Sequence, residues 1–295
     1  MTNTKTIVVF GVTGNQGSST ARALLAANYS VVGITRDTTS SKAQALKALG
    51  VKLHKADLDA PESYAPALQN AWGVFLNLDY WVHYDGTNGR AAQAKEEAQG
   101  RAAVDAIKAA GVQRVVYSTL DSLGTVPHFD SKATIAGYVR DSGVPFTLLY
   151  TSYYYSNILS GQIKEVDGGL LLDLGMPDDA VLPSYAVEQT GLWAVKAFEP
   201  EWIGKDMYAA GENMSIADIA AALARVTGRN VTTRHVTLAE FEADTTTDRE
   251  WYVNFVAVVE KRFTRDVAKS RETVPQAWDF DTWAKETGSL DKWRK

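Results

Sequence analysis

Gly11, Gly14 and Gly17 recur every third residue in Gly11-Val12-Thr13-Gly14-Asn15-Gln16-Gly17, directly after the apolar run Ile7-Val8-Val9-Phe10 and before an Ala/Leu-rich stretch. An apolar strand feeding a glycine-rich turn that opens a helix brings backbone N–H groups up to a pyrophosphate and aims the positive helix end at it. The spacing GxxGxxG differs from the GxGxxG of many dehydrogenases. The physical demands are similar: a tight turn at Gly11, close approach of phosphate near Gly14, and close helix packing at Gly17. The chemistry is therefore dinucleotide binding, with Thr13, Asn15 and Gln16 of the same loop as further cofactor-binding candidates.

The type of dinucleotide is set at the end of the second strand. A carboxylate there would accept from ribose hydroxyls, whereas an arginine would pair with a 2′-phosphate. The order is Ile34-Thr35-Arg36-Asp37, with Lys42, Ser40 and Ser41 adding donors nearby. The guanidinium fork of Arg36 suits phosphate, so NADP(H) is favoured over NAD(H). Asp37 is the counter-indication, since it stands about 20 residues beyond the last glycine, where a ribose-binding acid is expected. Asp57-Leu58-Asp59 follows the third strand, where a carboxylate can accept from the adenine amino group; for Asp59 a helix cap or an exposed turn is as good a reading as that role. Asn77, after Val74-Phe75-Leu76, can lie beside the ribose or nicotinamide or simply close the strand.

These residues need a scaffold. Strand-like runs at 5–10, 30–35, 51–54, 73–77, 113–118 and 145–150 alternate with helical segments near 16–28, 39–49, 60–71, 90–110 and 130–142. The alternation predicts an α/β fold with a parallel sheet covered on both faces. Asn28, Gly50, Gly111 and Gly143 stand where helices should stop, and Asp59 precedes Pro61 at a helix start. Ligands of such sheets bind beyond the carboxyl ends of the strands, so the glycine loop, Arg36, Asp57, Asn77, Ser118 and the chain from Tyr150 should converge.

After Tyr150 the pattern loosens, predicting a dinucleotide domain over 1–150 and a smaller α/β lobe over 151–295, interleaved with the last sheet elements. Its signals are a turn at Gly168-Gly169, a strand near 206–210, and helices near 186–198, 215–227, 237–244 and 249–265. In the last of these Trp251, Phe255, Val258, Val259, Arg262 and Phe263 share one side, the pattern of a core face.

A chain of 295 residues supports a sizeable core without a metal or disulfide staple. There is no cysteine, hence no disulfide framework and no thiolate chemistry, and the four histidines His54, His83, His128 and His235 suggest no metal constellation. The net charge of −5 opposes direct nucleic-acid binding. The densest basic stretch, Lys261, Arg262, Arg265, Lys269 and Arg271, is interrupted by acids and reads as a solvated helix face. Met1 to Lys5 leave no room for a leader, and no apolar run approaches the length of a membrane span, which predicts a soluble, cytoplasmic protein.

The chain resembles the NmrA-like family, an atypical branch of the short-chain dehydrogenase/reductase superfamily. The resemblance rests on GVTGNQG at Gly11–Gly17, TRD at Thr35–Asp37, ADLD at Ala56–Asp59 and EEAQGR at Glu96–Arg101. It continues in AAGVQRVVYSTL at Ala109–Leu120 and HFDSKATIAGYVRDSGVPFTLLY at His128–Tyr150. Asp281-Thr282-Trp283 also looks like the terminal helix of such proteins. The resemblance implies a Rossmann-type, doubly wound NADP(H) domain with a smaller C-terminal lobe over the nicotinamide end. It is similar both to redox-sensing regulators and to reductases of small aromatic or quinone-like molecules.

Conventional members of that superfamily carry YxxxK, the Tyr donating a proton and the Lys holding the nicotinamide ribose. Here Lys132 is present, but four residues before it stands His128. Groups at i and i+4 share a helix face, and an imidazole titrates near neutrality, so His128 is a candidate acid or else a structural residue at the helix start. Thr151-Ser152-Tyr153-Tyr154-Tyr155-Ser156-Asn157 adds candidates: Tyr153, Tyr154 and Tyr155 as proton donors or stacking groups, and Tyr155 with Asn157 matching the family's aromatic-then-Asn pattern. His83 and Tyr84 are candidates for the pocket rim. Two functions follow as expectations: an NADPH-dependent reductase of a small-molecule substrate, or an inactive NADP(H) sensor acting through a regulatory protein partner, in the nucleus as well as the cytoplasm.

Overall fold

The computed structural model describes residues 4–295; Met1–Asn3, at the head of the segment read as leaving no room for a leader, lie outside them. The first half alternates strictly: β1 (Thr6–Val9), α1 (Asn15–Ala26), β2 (Ser30–Thr35), α2 (Ser41–Ala48), β3 (Lys52–Lys55), α3 (Pro61–Leu68) and β4 (Gly73–Leu76). Then come α4 (Gly89–Ala109), β5 (Arg114–Thr119), α5 (Pro127–Asp141) and β6 (Phe146–Tyr150). The second half holds β7 (Tyr153–Tyr154), β8 (Ile163–Val166), β9 (Gly169–Leu172), β10 (Val181–Tyr185), α6 (Thr190–Ala197), β11 (Lys205–Tyr208) and β12 (Glu212–Ser215). It closes with α7 (Ile216–Thr227), β13 (Val231–Thr233), α8 (Leu238–Glu242), α9 (Arg249–Val259), α10 (Val267–Thr273) and α11 (Phe280–Thr287).

The expected helix stops are real. Asn28, Gly50, Gly111 and Gly143 all take positive φ, the left-handed conformation that ends a helix and turns the chain into the next strand. The chain divides into two compact units, residues up to Thr151 with Glu188–Ala209, and Ser152–Val187 with Ala210–Lys295. Residues 188–209, which follow position 150 in the chain, thus belong to the first unit.

The first unit is a Rossmann-type layered fold. Its seven-stranded sheet runs β11-β6-β5-β4-β1-β2-β3, every pair parallel. The order reverses at β1, which lies between β2 and β4, and the carboxyl ends of β1 and β4 thus border the switch point where such sheets bind ligands. Ile7, Val8 and Val9 are fully buried, as a strand covered on both faces must be. The returning segment docks through α6: a Cβ on Gly191 would stand 2.6 Å from Ala23 Cβ, and Gly191 N donates to Ser19 Oγ at 2.9 Å. The buried Arg114 guanidinium donates to the carbonyls of Ala197 and Glu199, tying the same segment to the sheet.

The second unit holds two three-stranded sheets, β12-β10-β7 and β13-β9-β8, around a core that includes Tyr155, Leu172, Leu182 and Trp283. The single helix expected over 249–265 is corrected: α9 ends at Val259, Lys261 takes φ 53°, and the chain reopens as α10. Arg262 and Phe263 therefore leave the supposed stripe, and Trp251 is 39% exposed while Val258 is buried. The basic stretch is no single solvated face either. Arg265 is only 5% exposed, and Arg271 Nε donates to the Gly211 carbonyl. Among the described residues no helix is long and apolar enough to cross a membrane, and no His, Asp or Glu cluster could hold a metal ion.

Candidate functional site

The glycine loop has the geometry its spacing demands. Gly11 adopts φ 62°, and Gly14 N donates to the Gly11 carbonyl at 2.9 Å, closing the turn. Gly14 is also the N-cap of α1, which has no side-chain cap and no acidic residue in its first turn. A Cβ on Gly17 would fall 2.7 Å from the Gly11 carbonyl carbon and 2.9 Å from Val12 Cα, so the helix starts directly against the loop backbone. Gly14 and Asn15 are exposed, which leaves the positive helix end open to an anion.

Three further strand ends meet this loop. Asn77, just past β4, places its Nδ2 3.6 Å from the Cβ position of Gly11. Ser118 of β5 donates through Oγ to Gln16 Oε1 at 2.7 Å. Thr35 Oγ1, ending β2, lies 3.5 Å from Thr13 Oγ1. Of these, Thr35 was missed by sequence reasoning, although it precedes Arg36 in the quoted motif.

Beyond Thr35, Arg36 and Lys42 are exposed. Asp37 accepts from Thr39 N at 2.7 Å and Thr39 Oγ1 at 2.6 Å, and these bonds hold its carboxyl below the usual range. Both bonds fall on Oδ1, within the residue's own turn. Asp57 likewise accepts from Asp59 N at 3.0 Å, and Leu58 packs on the sheet core. Asp59 is no helix cap: Ala60 holds that position, while the Asp59 carboxylate meets Lys95 Nζ at 2.6 Å and Gln99 Nε2 at 2.7 Å, which lower its pKa. His83 Nε2 lies 3.0 Å from Gln99 Oε1, and Tyr84 stacks on Tyr80.

Lys132 is placed by helix packing. A Cβ on Gly100 of α4 would collide with Ile135 of α5, so the two helices touch there. One turn earlier on each, Glu96 faces Ser131 and Lys132. Lys132 Nζ donates to Glu96 Oε1 at 2.6 Å and to the Leu78 carbonyl at 3.2 Å, and Ser131 Oγ donates to Glu96 Oε2. The Glu96 side chain is fully buried and that of Lys132 is 14% exposed. Leu78 follows Asn77, so the ammonium sits at the same sheet edge as the glycine loop. Glu96 and Ser131 were missed, though Glu96 stands in the quoted EEAQGR and Gly100 four residues on signals a close helix contact. Tyr117 is buried, and burial together with Glu96 and Glu97 pushes its phenol far up.

His128, 6% exposed, has its ring centroid 5.8 Å from Tyr80, 5.0 Å from Trp81 and 4.9 Å from Phe129. These rings pack around His128 at the start of α5, beside Pro127.

The tyrosine segment lies in the second unit. Tyr155 is 2% exposed, packs on Phe280 and Trp283, and donates to Glu212 Oε2 at 2.9 Å. Burial, then Glu212, push its pKa far above the ordinary phenol value. Tyr153 donates to Gln162 Oε1 at 2.9 Å, with its pKa raised by burial, and Tyr154 packs edge-on to Tyr185. Asn157 is half-buried in the short helical turn Tyr155–Leu159.

A profile of the NmrA-like family matches residues 3–270. The NmrA-like family domain-containing oxidoreductase ptmS of Penicillium ochrochloron is 36% identical over 183 residues, covering 57% of this chain and 53% of that protein. The match thus spans about half the length of that relative. NmrA, a negative transcriptional regulator solved with NAD and also with NADP, aligns with a TM-score of 0.82 at 22% identity over 98% of this chain and 96% of its own. The NADPH-dependent quinone oxidoreductase QOR2 of Escherichia coli, complexed with NADPH, aligns at 0.77 and 22% identity over 96% and 99%. These structural likenesses establish the fold. With the family profile extending over nearly the whole chain, the protein belongs to the NmrA-like family.

Proposed function

We propose that the protein is an NADPH-dependent reductase of a small aromatic or conjugated acceptor, a carbonyl, quinone or imine, working in the cytoplasm. The observation that carries this reading is the Lys132 ammonium at the carboxyl edge of the sheet. Two of its three N–H donors are engaged by Glu96 and Leu78, and one is left for a ligand. The fit to a dinucleotide rests on the loop itself, where Gly17 leaves no room for a side chain between α1 and the loop backbone and Gly14 leaves the positive helix end exposed. The uncapped start of α1 receives the diphosphate, and Asn77 and Ser118 line the edge beside it. Arg36 and Lys42, both exposed beyond Thr35, hold the 2′-phosphate, while Thr39 draws the Asp37 carboxylate into its own turn through Oδ1. NADPH supplies the hydride when bound. Lys132 Nζ holds the nicotinamide ribose and delivers the proton to the acceptor's oxygen or nitrogen. The names of ptmS and QOR2 as oxidoreductases favour this reading.

A second reading, a sensor of NADP(H) acting through a protein partner, is favoured by one observation: the position four residues before Lys132 carries a packed histidine in place of an acid. NmrA's description as a transcriptional regulator accords with it. The two separate on one experiment, following NADPH absorbance with a panel of quinones, imines and aryl ketones. Turnover of any of them supports the reductase; tight NADP(H) binding with no turnover across the panel supports the sensor.

A further inference from the structure

A fully buried carboxylate with two partners calls for a physical reason. Glu96 makes no contribution to the glycine loop or to the phosphate end, yet its two oxygens accept from Lys132 Nζ and Ser131 Oγ, residues adjacent on α5. Ion pairs of this kind give little net stability, because taking both charges out of water costs about as much as their attraction returns. What the arrangement does secure is geometry. A lysine side chain has four rotatable bonds, and a single carbonyl acceptor would leave its ammonium mobile. With the Leu78 carbonyl on one side and a carboxylate pinned by Ser131 on the other, Nζ has one place to be.

We propose that Glu96 is a positioning residue, whose carboxylate, steadied by Ser131, holds the Lys132 ammonium in place for the nicotinamide-ribose end of the dinucleotide. The proposal rests on the cofactor reading above and deepens it. Glu96 touches neither cofactor nor substrate; it acts through Lys132.

The test is calorimetric and uses the full chain: affinities for NADPH and for 2′,5′-ADP, which lacks the nicotinamide end, in wild type, Glu96→Gln, Lys132→Met and the double variant. Glu96→Gln weakens NADPH roughly fivefold, since the ammonium is no longer held by a charged partner. Affinity for 2′,5′-ADP stays at the wild-type value in every variant. Lys132→Met and the double variant bind NADPH equally, because Glu96 has nothing left to position.

A Glu96→Gln variant that binds NADPH as tightly as wild type overturns the proposal, and so does a parallel loss of 2′,5′-ADP affinity, which marks a merely structural role. Should Glu96→Gln fail to fold, the comparison of Lys132→Met with the double variant decides: equality supports positioning, and a further loss in the double variant overturns it. Wild type that binds neither probe defeats the cofactor reading itself, a result distinct from wild type that binds both while Glu96→Gln matches it.

Discussion

An ideal Cβ on Gly100 stands 2.5 Å from Ile135 Cδ1 and 2.6 Å from its Cγ1, so α4 and α5 meet at a point with no room for another methyl group. Ile135 is branched and fully buried, and it cannot swing aside. Gly100→Ala should therefore destabilise the protein by about 1–2 kcal/mol. The overpacking penalty of about 1–3 kcal/mol exceeds the helix-propensity gain of up to about 1 kcal/mol. Thermal melting checks the sign; a stabilised variant would mean the helices part without cost.

Arg36→Ala should weaken NADPH by roughly 10- to 100-fold, the worth of charge-assisted hydrogen bonds to a phosphate, and leave NADH within about twofold. Calorimetry with both cofactors measures the ratio. Equal losses would remove Arg36 from the 2′-phosphate and reopen the choice of cofactor.

Tyr155→Phe should lower stability by about 1–2 kcal/mol, because Glu212 Oε2 loses one of its two donors, the other being Phe280 N at 2.7 Å. Cofactor affinity, and turnover per folded molecule if turnover is found, should not change. Denaturant titration and NADPH binding on the same preparation test both halves, and a selective loss of binding would restore Tyr155 to the site.

Tyr64 is fully buried, edge-on to Phe10 at 5.3 Å, with no hydrogen-bond partner for its hydroxyl. Burial first, then Glu62 and Asp105, push its pKa up to about 12. The folded protein therefore keeps this proton after the unfolded chain has released it near pH 10. Between about pH 10 and 12 the unfolded state binds fewer protons, so stability falls as pH rises. Tyr64→Phe should flatten that part of the decline and, by removing an unsatisfied polar atom, raise stability near neutrality by about 1 kcal/mol. Urea titrations at pH 7 and near pH 11 would show it; an unchanged alkaline decline would assign the loss to other groups.

Asp37 and Tyr155 show where reading residues in order falls short. By position Asp37 is the ribose acid of an NAD site, yet two bonds from Thr39 engage its carboxylate, a matter of local turn geometry that type and spacing leave open. Tyr155 matches a family pattern, but its neighbours Phe280 and Trp283 stand more than a hundred positions further along the chain. Lys261 ended a helix whose apolar stripe continued past it, since periodicity registers faces and not a single left-handed residue.

The order of residues alone determined the alternating strands and helices, their stops at Asn28, Gly50, Gly111 and Gly143, and the glycine loop, because each depends on φ preferences and periodicities acting over a few residues. Tertiary structure decided which charged groups meet. Lys132 and Glu96 are 36 residues apart and come together only because Gly100 lets two helices touch, and Tyr155 became core because a distant helix covers it. Such contacts depend on how whole elements pack, which no local signal encodes.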